Sequence, residues 1–436
     1  MLNILLKPHR ANLRAGGTEI QKVFAMLKLI PEAEVAGARP PLAFVLTIDT
    51  SGSMRDALNG KPKIEHAIDA ARALITDTRL SAEDQLAIIQ FSDDARVLLP
   101  LSALGNRQAA LAVLEQLRRY EGTTRMALAL ERSQQALQGL PPQVAKRVLL
   151  LTDGQASDPV ECRSFADKIG SANTPLITLG IGNDYNEGLL RDLADQTQGH
   201  PHHLQNAAGL SDILEMEVGS LVREVVTGVQ ASVGLVKGVT LDSITRVYPS
   251  LSEVSLAHHP FLLGNIASGD YTVFVLELTV HGIARPASRA RLARIALTAH
   301  VPGLDRHEEA APQELFMTFT TDDSATASVN AEVLGYVQQK NIDRMMQEAV
   351  RLAPENAGQA RQTLQVALGM TRSLGNTAVT HMLQDALHEL DHTGNISAGT
   401  RKTVALEGRT RTIKTGTSDA LENVPSEDEI HRLTGA

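Results

Sequence analysis

At 436 residues the chain is long enough for two or three domains. Its 43% hydrophobic and 21% charged residues permit a sizeable core, but only 3% are aromatic and none is Trp, so that core must be mostly Leu, Val, Ile and Ala. The net charge of -9 argues against generic binding to nucleic acid or anionic lipid, and the single Cys162 excludes an intrachain disulfide framework and a multi-cysteine zinc site.

Residues 1–40 read as two short strands, Asn3 to Leu6 and Val23 to Leu29, joined by a turn at Ala15-Gly16-Gly17-Thr18. From 41 to 218, strands and helices alternate. Leu42 to Ile48 is a near-continuous apolar run, the pattern of a strand buried on both faces. Ile64 to Leu80 carries apolar residues at helical spacing. Further buried strands are expected at Gln85 to Phe91, Arg147 to Leu151 and Leu176 to Ile181, with shorter ones at Val97 to Leu101 and His202 to Leu204. Helical patterns run over Met126 to Leu137, Val160 to Ile169, Glu187 to Thr197 and onward from Gly209. Such alternation implies an α/β domain with a doubly wound, mostly parallel sheet.

Over 219–326 the period drops to two, as in Val225 to Val236, Thr240 to Val247, Ser252 to Leu256, Tyr271 to Val280 and Ala290 to Thr298, with Gly264-Asn265 and Ser268-Gly269-Asp270 read as turns. This predicts an antiparallel β-sandwich, which the strands of 1–40 are expected to complete. Over 327–391 three helical stretches, Ala331 to Leu352, Gly358 to Met370 and Ala378 to Leu390, predict a small helical bundle. Residues 392–436 are Thr-rich, with basic residues followed by an acidic block, and read as a flexible tail. No stretch reaches the roughly 20 apolar residues that span a bilayer, and the N-terminus lacks a signal-peptide core, so a cytoplasmic protein is expected.

The strongest chemical signal is Asp49-Thr50-Ser51-Gly52-Ser53, directly after the first buried strand. It sits where open α/β sheets place their ligands, at a strand's carboxyl end. A carboxylate and hydroxyls are hard oxygen donors, suited to Mg²⁺ or Mn²⁺ rather than zinc or copper; Ca²⁺ wants more ligands. Glu121-Gly122-Thr123-Thr124 and Leu151-Thr152-Asp153-Gly154 add a hydroxyl and a second carboxylate at the same sheet edge.

Together Asp-x-Ser-x-Ser, Gly-Thr and the strand-end Thr-Asp-Gly resemble the von Willebrand factor A domain and its metal-ion-dependent adhesion site. Asp49, Ser51, Ser53, Thr123 and Asp153 match that site position by position, Thr123 being preferred to Thr124 because it directly follows the glycine. The resemblance implies that the two serines and the threonine ligate directly and that the aspartates act partly through water. More loosely, the domain order resembles bacterial calcium-activated-chloride-channel-like proteins and plant RING-finger proteins with an A domain. RING cysteines are absent, so ligase activity is not implied.

Other polar clusters read more plainly. Gly199-His200-Pro201-His202-His203 is a turn into an exposed edge strand, Asp93-Asp94 a hairpin turn, and Asp56, Glu65 and Asp69 solvated residues. In the tail, Thr403 and Thr410 lie near basic residues and have aliphatic Leu406 and Ile413 three positions later. That spacing resembles peptides read by forkhead-associated domains after a Ser/Thr kinase has acted. The function expected is a non-enzymatic cytoplasmic adaptor. It would bind a protein partner through a divalent ion whose coordination the partner's Asp or Glu completes. The alternatives are a Mg²⁺-dependent phosphoester hydrolase and a scaffold in which the metal is only structural.

Overall fold

A computed structural model describes residues 2–17, 19–36, 39–205, 208–282 and 285–415. The α/β domain is built on a six-stranded sheet in the order Pro201–Leu204, Leu176–Ile181, Ala145–Thr152, Leu42–Asp49, Gln85–Phe91, Ala95–Ala103. All neighbours are parallel except the last pair. Every residue of Leu42–Asp49 is buried, and its side chains alternate between two layers. Leu42, Phe44, Leu46 and Ile48 pack with Ile64, Ile68, Leu114 and Leu214 from helices on one face. Ala43 and Val45 pack with Met126, Leu130, Cys162 and Leu189 from helices on the other. Because Leu42–Asp49 and Ala145–Thr152 are adjacent and parallel, their carboxyl ends emerge side by side.

The chain that flanks this domain in sequence folds as a two-sheet sandwich. One sheet runs Leu2–Pro8, Gln21–Pro31, Thr272–Val280, Val239–Tyr248, Ser252–Glu253. The other runs Phe261–Ala267, Glu224–Leu235, Ser288–Val301, Gln313–Thr320, Asn12–Arg14. The pairing of Asn12–Arg14 with Gln313–Thr320 is parallel, an exception to the antiparallel expectation. Gly264-Asn265 is not a turn: it lies inside Phe261–Ala267, opposite a register shift in Glu224–Leu235. There Asn265 accepts from the Gly228 N–H at 3.0 Å and donates to Glu224 at 2.9 Å, while Gly264 takes a φ of 93° that favours glycine.

Three helices follow, Ala331–Leu352, Ala357–Leu374 and Thr377–Thr393. Each opens on an asparagine whose side chain accepts a backbone N–H in the first turn: Asn330 from Val333, Asn356 from Gln359, Asn376 from Val379. Gly375 and Gly394 close the second and third in left-handed conformation. No helix among the described residues is long and apolar enough to cross a membrane.

The flexible tail expected from 392 onward is corrected over 398–415. Ala398–Lys402, Thr403–Glu407 and Gly408–Thr410 form consecutive helical turns wedged between the α/β domain and the bundle. Val404, Ala405 and Leu406 are buried there, and burying Val404 and Leu406 contributes about 1.5–3 kcal/mol each. Polar anchors fix the segment. Lys402 Nζ lies 2.8 Å from Glu187 and Arg409 2.9 Å from Asp195; the Ala405 carbonyl accepts from Gln347 at 2.8 Å. This segment also covers Pro201–Leu204, whose four residues are buried rather than forming an exposed edge. The His203 N–H donates to Glu407 at 2.9 Å. The acidic block of 419–429 lies outside the described residues.

Candidate metal centre

Beyond Leu42–Asp49 the chain turns through a single 3₁₀ turn, Gly52–Arg55, before the helix Lys63–Thr76. The turn folds Ser51 and Ser53 back over the strand end. Asp49 Oδ1 accepts the Ser51 N–H at 2.8 Å and Oδ2 accepts the Thr152 hydroxyl at 2.6 Å. Ser53 Oγ donates to Asp153 Oδ1 at 2.8 Å, and the two serine hydroxyls lie 3.2 Å apart. Four of the five expected ligands are therefore joined into one hydrogen-bonded group.

Thr123 stands on the neighbouring loop, which is tied to the first by the Gly52 N–H donating to the Gly122 carbonyl at 3.0 Å. Its hydroxyl and N–H both donate to Asp93 Oδ1, at 2.6 and 2.9 Å. Giving its proton to Asp93 leaves the Thr123 oxygen with lone pairs for a cation. The hydrogen bonds from Thr123 hold the Asp93 carboxyl below the usual carboxylate range. Gly122 is required here, since a Cβ would sit 2.6 Å from Asp93 Oδ2. Thr124 is placed differently: it is buried and faces Gly154, where a Cβ would lie 2.7 Å from its hydroxyl.

The donors fit a small hard cation. Six oxygens around Mg²⁺ at about 2.1 Å stand roughly 3 Å apart along the octahedral edges, matching the 2.8 and 3.2 Å separations of the Asp153, Ser53 and Ser51 oxygens. Asp49 is fully buried, and burial pushes its carboxyl up to about 6. Hydrogen bonds from Thr152 and Ser51 oppose this rise, and the charge of Asp153 adds to it. Two carboxylates crowded at a buried strand end carry a cost that a divalent cation relieves. Ser53 is half-buried and Thr123 exposed, so the group opens to solvent. Beside it, a cavity of about 210 Å³ is lined by Ser51, Met54, Ile64, Leu117 and Tyr120.

Three neighbours were missed in the sequence. Thr152 orients Asp49 and Asp93 orients Thr123. Lys63, 7% exposed at its side chain, places Nζ 2.7 Å from Asp153 Oδ2. For Thr152 the signal was present, one residue before Asp153. For Asp93 and Lys63 it was not, because each reaches the site from a separate element.

Among the described residues a second set of donors converges at the other end of the domain. One donor atom from each of His200, His202 and Glu217 lies within 4.8 Å of the other two. Cationic side chains already serve this carboxylate. Glu217 Oε2 is 3.1 Å from Arg147, and Oε1 is 3.1 and 3.0 Å from His200 and His202. Burial works against its ionisation, yet the charges of His200 and Arg147 and the histidine hydrogen bonds hold Glu217 well below the carboxylate range. Burial also disfavours a charged His202, but its hydrogen bond to Glu217 and the nearby Glu407 carboxylate, 3.7 Å from Nδ1, lift it to about 9. Burial holds His200 below its usual value, and His200, His202, Glu217 and Arg147 pair with one another in a network of ion pairs and hydrogen bonds. Arg147 extends it to Glu224 at the start of the sandwich strand Glu224–Leu235.

The two threonines proposed for phosphorylation sit in the docked C-terminal segment. Thr403 Oγ1 donates to the Gly399 carbonyl at 3.0 Å, and Thr410 Oγ1 to the Glu407 carbonyl at 3.0 Å. Leu406, which a peptide reader would need, is fully buried.

Comparisons with known proteins agree with the fold. Residues 44–216 match the family model for the von Willebrand factor type A domain, and 331–414 match the model for the Sll0103-like C-terminal alpha-helical domain. Over 282 residues the chain is 24% identical to YfbK of Escherichia coli K12, covering 63% of this chain and 48% of that protein. Over 208 residues it is 29% identical to sll0103 of Synechocystis, covering 47% of each. The chain thus spans about half the length of the curated relatives it matches. A solved von Willebrand factor type A protein from Catenulispora acidiphila superposes with a TM-score of 0.78 over 96% of this chain and 98% of that one, at 19% identity, which shows a shared fold. Residues 44–216 of the chain are therefore a von Willebrand factor type A domain, set in sequence within a β-sandwich and followed by an Sll0103-like helical domain.

Proposed function

We propose that the chain is a cytoplasmic adaptor that binds a protein partner through a divalent ion, Mg²⁺ or Mn²⁺. Asp49, Ser51, Ser53, Thr123 and Asp153 would hold the ion. The ion supplies a coordination position that an Asp or Glu of the partner completes, and this selects an acidic residue and fixes its direction. The observation that carries the reading is the convergence of Asp49, Ser51, Ser53 and Asp153 in one group that opens to solvent at Ser53, linked by hydrogen bonds of 2.8 to 3.2 Å. The cavity beside Ser51 gives the partner's neighbouring side chain an apolar seat.

Binding is favoured over hydrolysis because the three carboxylates that build the site are already engaged. Asp49 accepts from Ser51 and Thr152, Asp153 from Ser53 and Lys63, and Asp93 from Thr123. A general base needs a carboxylate within reach of an attacking water, and these three are committed to holding the loops. A kinase and a forkhead-associated partner acting at Thr403 or Thr410 would need the C-terminal segment to undock, since Leu406 is buried and Ile413 is half-buried with its N–H and carbonyl held by Gln339.

The test is affinity capture with the full chain in Mg²⁺, in EDTA, and with Ser51→Ala/Ser53→Ala whose folding has been checked by circular dichroism. A partner retained only by wild type in Mg²⁺ is the expected result. The same proteins captured in all three conditions would refute metal-dependent binding.

A further inference from the structure

Lys63 brings a positive charge into a site built for a cation. It is the first residue of the helix Lys63–Thr76, at a position where lysine ordinarily extends into water. Here the side chain is buried. Its stem runs past Gly182, where a Cβ would lie 3.5 Å from Lys63 Cε, and Nζ ends 2.7 Å from Asp153 Oδ2. The other oxygen of Asp153 accepts from Ser53. Asp153 is thus satisfied on both oxygens without any metal, one of its partners being an ammonium.

We propose that Lys63 is a resident counter-cation that weakens the metal affinity of this site and makes stable ion binding depend on the partner's carboxylate; the inference rests on the metal-dependent reading above. The charges at the site decide the matter. Among the buried groups Asp49 and Asp153 contribute two negative charges and Lys63 one positive, while the Asp93 carboxylate on Thr123 is exposed and screened by water. A divalent ion brought to the carboxylates alone gives a neutral site. With Lys63 present the loaded site carries one net positive charge, and the ion is repelled by an ammonium bonded to one of its own ligand residues. Low dielectric at a buried group strengthens that repulsion. A partner's Asp or Glu restores neutrality, so ion and partner bind with mutual support. Without metal, the same ammonium offsets the repulsion between Asp49 and Asp153 and keeps the loops assembled.

The experiment measures Mn²⁺ affinity by electron paramagnetic resonance of the free ion, using the full chain. Wild type is compared with Lys63→Met, which removes the charge and keeps an unbranched stem, and with Lys63→Arg, which keeps the charge. Ser51→Ala/Ser53→Ala serves as the metal-site control. Lys63→Met is expected to bind Mn²⁺ at least tenfold more tightly than wild type, and its melting temperature to differ more between Mn²⁺ and EDTA. Lys63→Arg is expected to stay within about threefold of wild type. Mn²⁺ binding by Lys63→Met alone, abolished when the two serines are also replaced, would likewise support the proposal. Wild type and Lys63→Met binding Mn²⁺ equally, or the variant more weakly, would overturn it while leaving the metal reading intact. No Mn²⁺ binding by any of the proteins would overturn the metal reading, and this inference with it. Should Lys63→Met melt early in EDTA, the measurement is made below its transition, where Lys63→Arg separates charge from packing.

Discussion

Arg147→Met is expected to lower the unfolding free energy by about 3–5 kcal/mol, the range for breaking a buried ion pair by removing one partner. Arg147 is only 3% exposed and faces two carboxylates that are equally enclosed, Glu217 in the helix Ala208–Val222 and Glu224 in the first sandwich strand after it. Methionine fills much of the space and leaves both acids without their guanidinium. The cost lies mainly in the stranded Glu224, since Glu217 keeps His200 and His202, so Arg147→Met/Glu224→Gln should recover a large part of it. Urea denaturation followed by circular dichroism measures both. A single variant within 0.5 kcal/mol of wild type, on the order expected of a surface substitution, would show that this network does not couple the α/β domain to the sandwich.

Stability is also expected to fall as pH rises from 6.5 to above 9, by on the order of 3 kcal/mol, and His202→Gln should remove most of that slope. His202 is enclosed by Glu217 from the closing helix, Glu407 from the C-terminal segment and the ring of His200. Arg147 reaches it through Glu217. Burial alone would lower its pKa, but the two carboxylates outweigh burial and raise it from 6.5 to about 9. A histidine whose folded pKa exceeds its unfolded value contributes fully below the unfolded value. That contribution disappears as pH climbs through the folded value. The window is therefore 6.5 to 9, with the loss on the alkaline side. Denaturation curves at pH 6.5, 8 and 9.5 test this, and a wild-type slope unchanged in His202→Gln would contradict it.

The parts of this molecule legible in the sequence are those whose signal is local. Leu42 to Ile48 is apolar at nearly every position because both faces of a central parallel strand are covered, and Asp49, Ser51 and Ser53 follow within five residues. What escaped notice depends on contacts between distant segments. Lys63 on an amphipathic helix looks like a solvated residue until Asp153, ninety positions later, is brought beside it. The His200 cluster looks like a turn because Glu217, Arg147 and Glu407 come from three other segments. The C-terminal segment is illegible in the sequence for a further reason. Val404, Ala405 and Leu406 are consecutive rather than periodic, so no amphipathic face is visible. A wide π-turn buries all three against surfaces that other domains supply.

The oxygen cluster after Leu42–Asp49 is proposed to hold a divalent ion. The most direct measurement is the number of Mn²⁺ ions bound per chain by equilibrium dialysis, for wild type and for Ser51→Ala/Ser53→Ala with unchanged circular dichroism. At Mn²⁺ concentrations high enough to fill a site weakened by Lys63, about one ion is expected for wild type and none for the variant. One ion bound by both would contradict that proposal, and would direct the search to His200, His202 and Glu217.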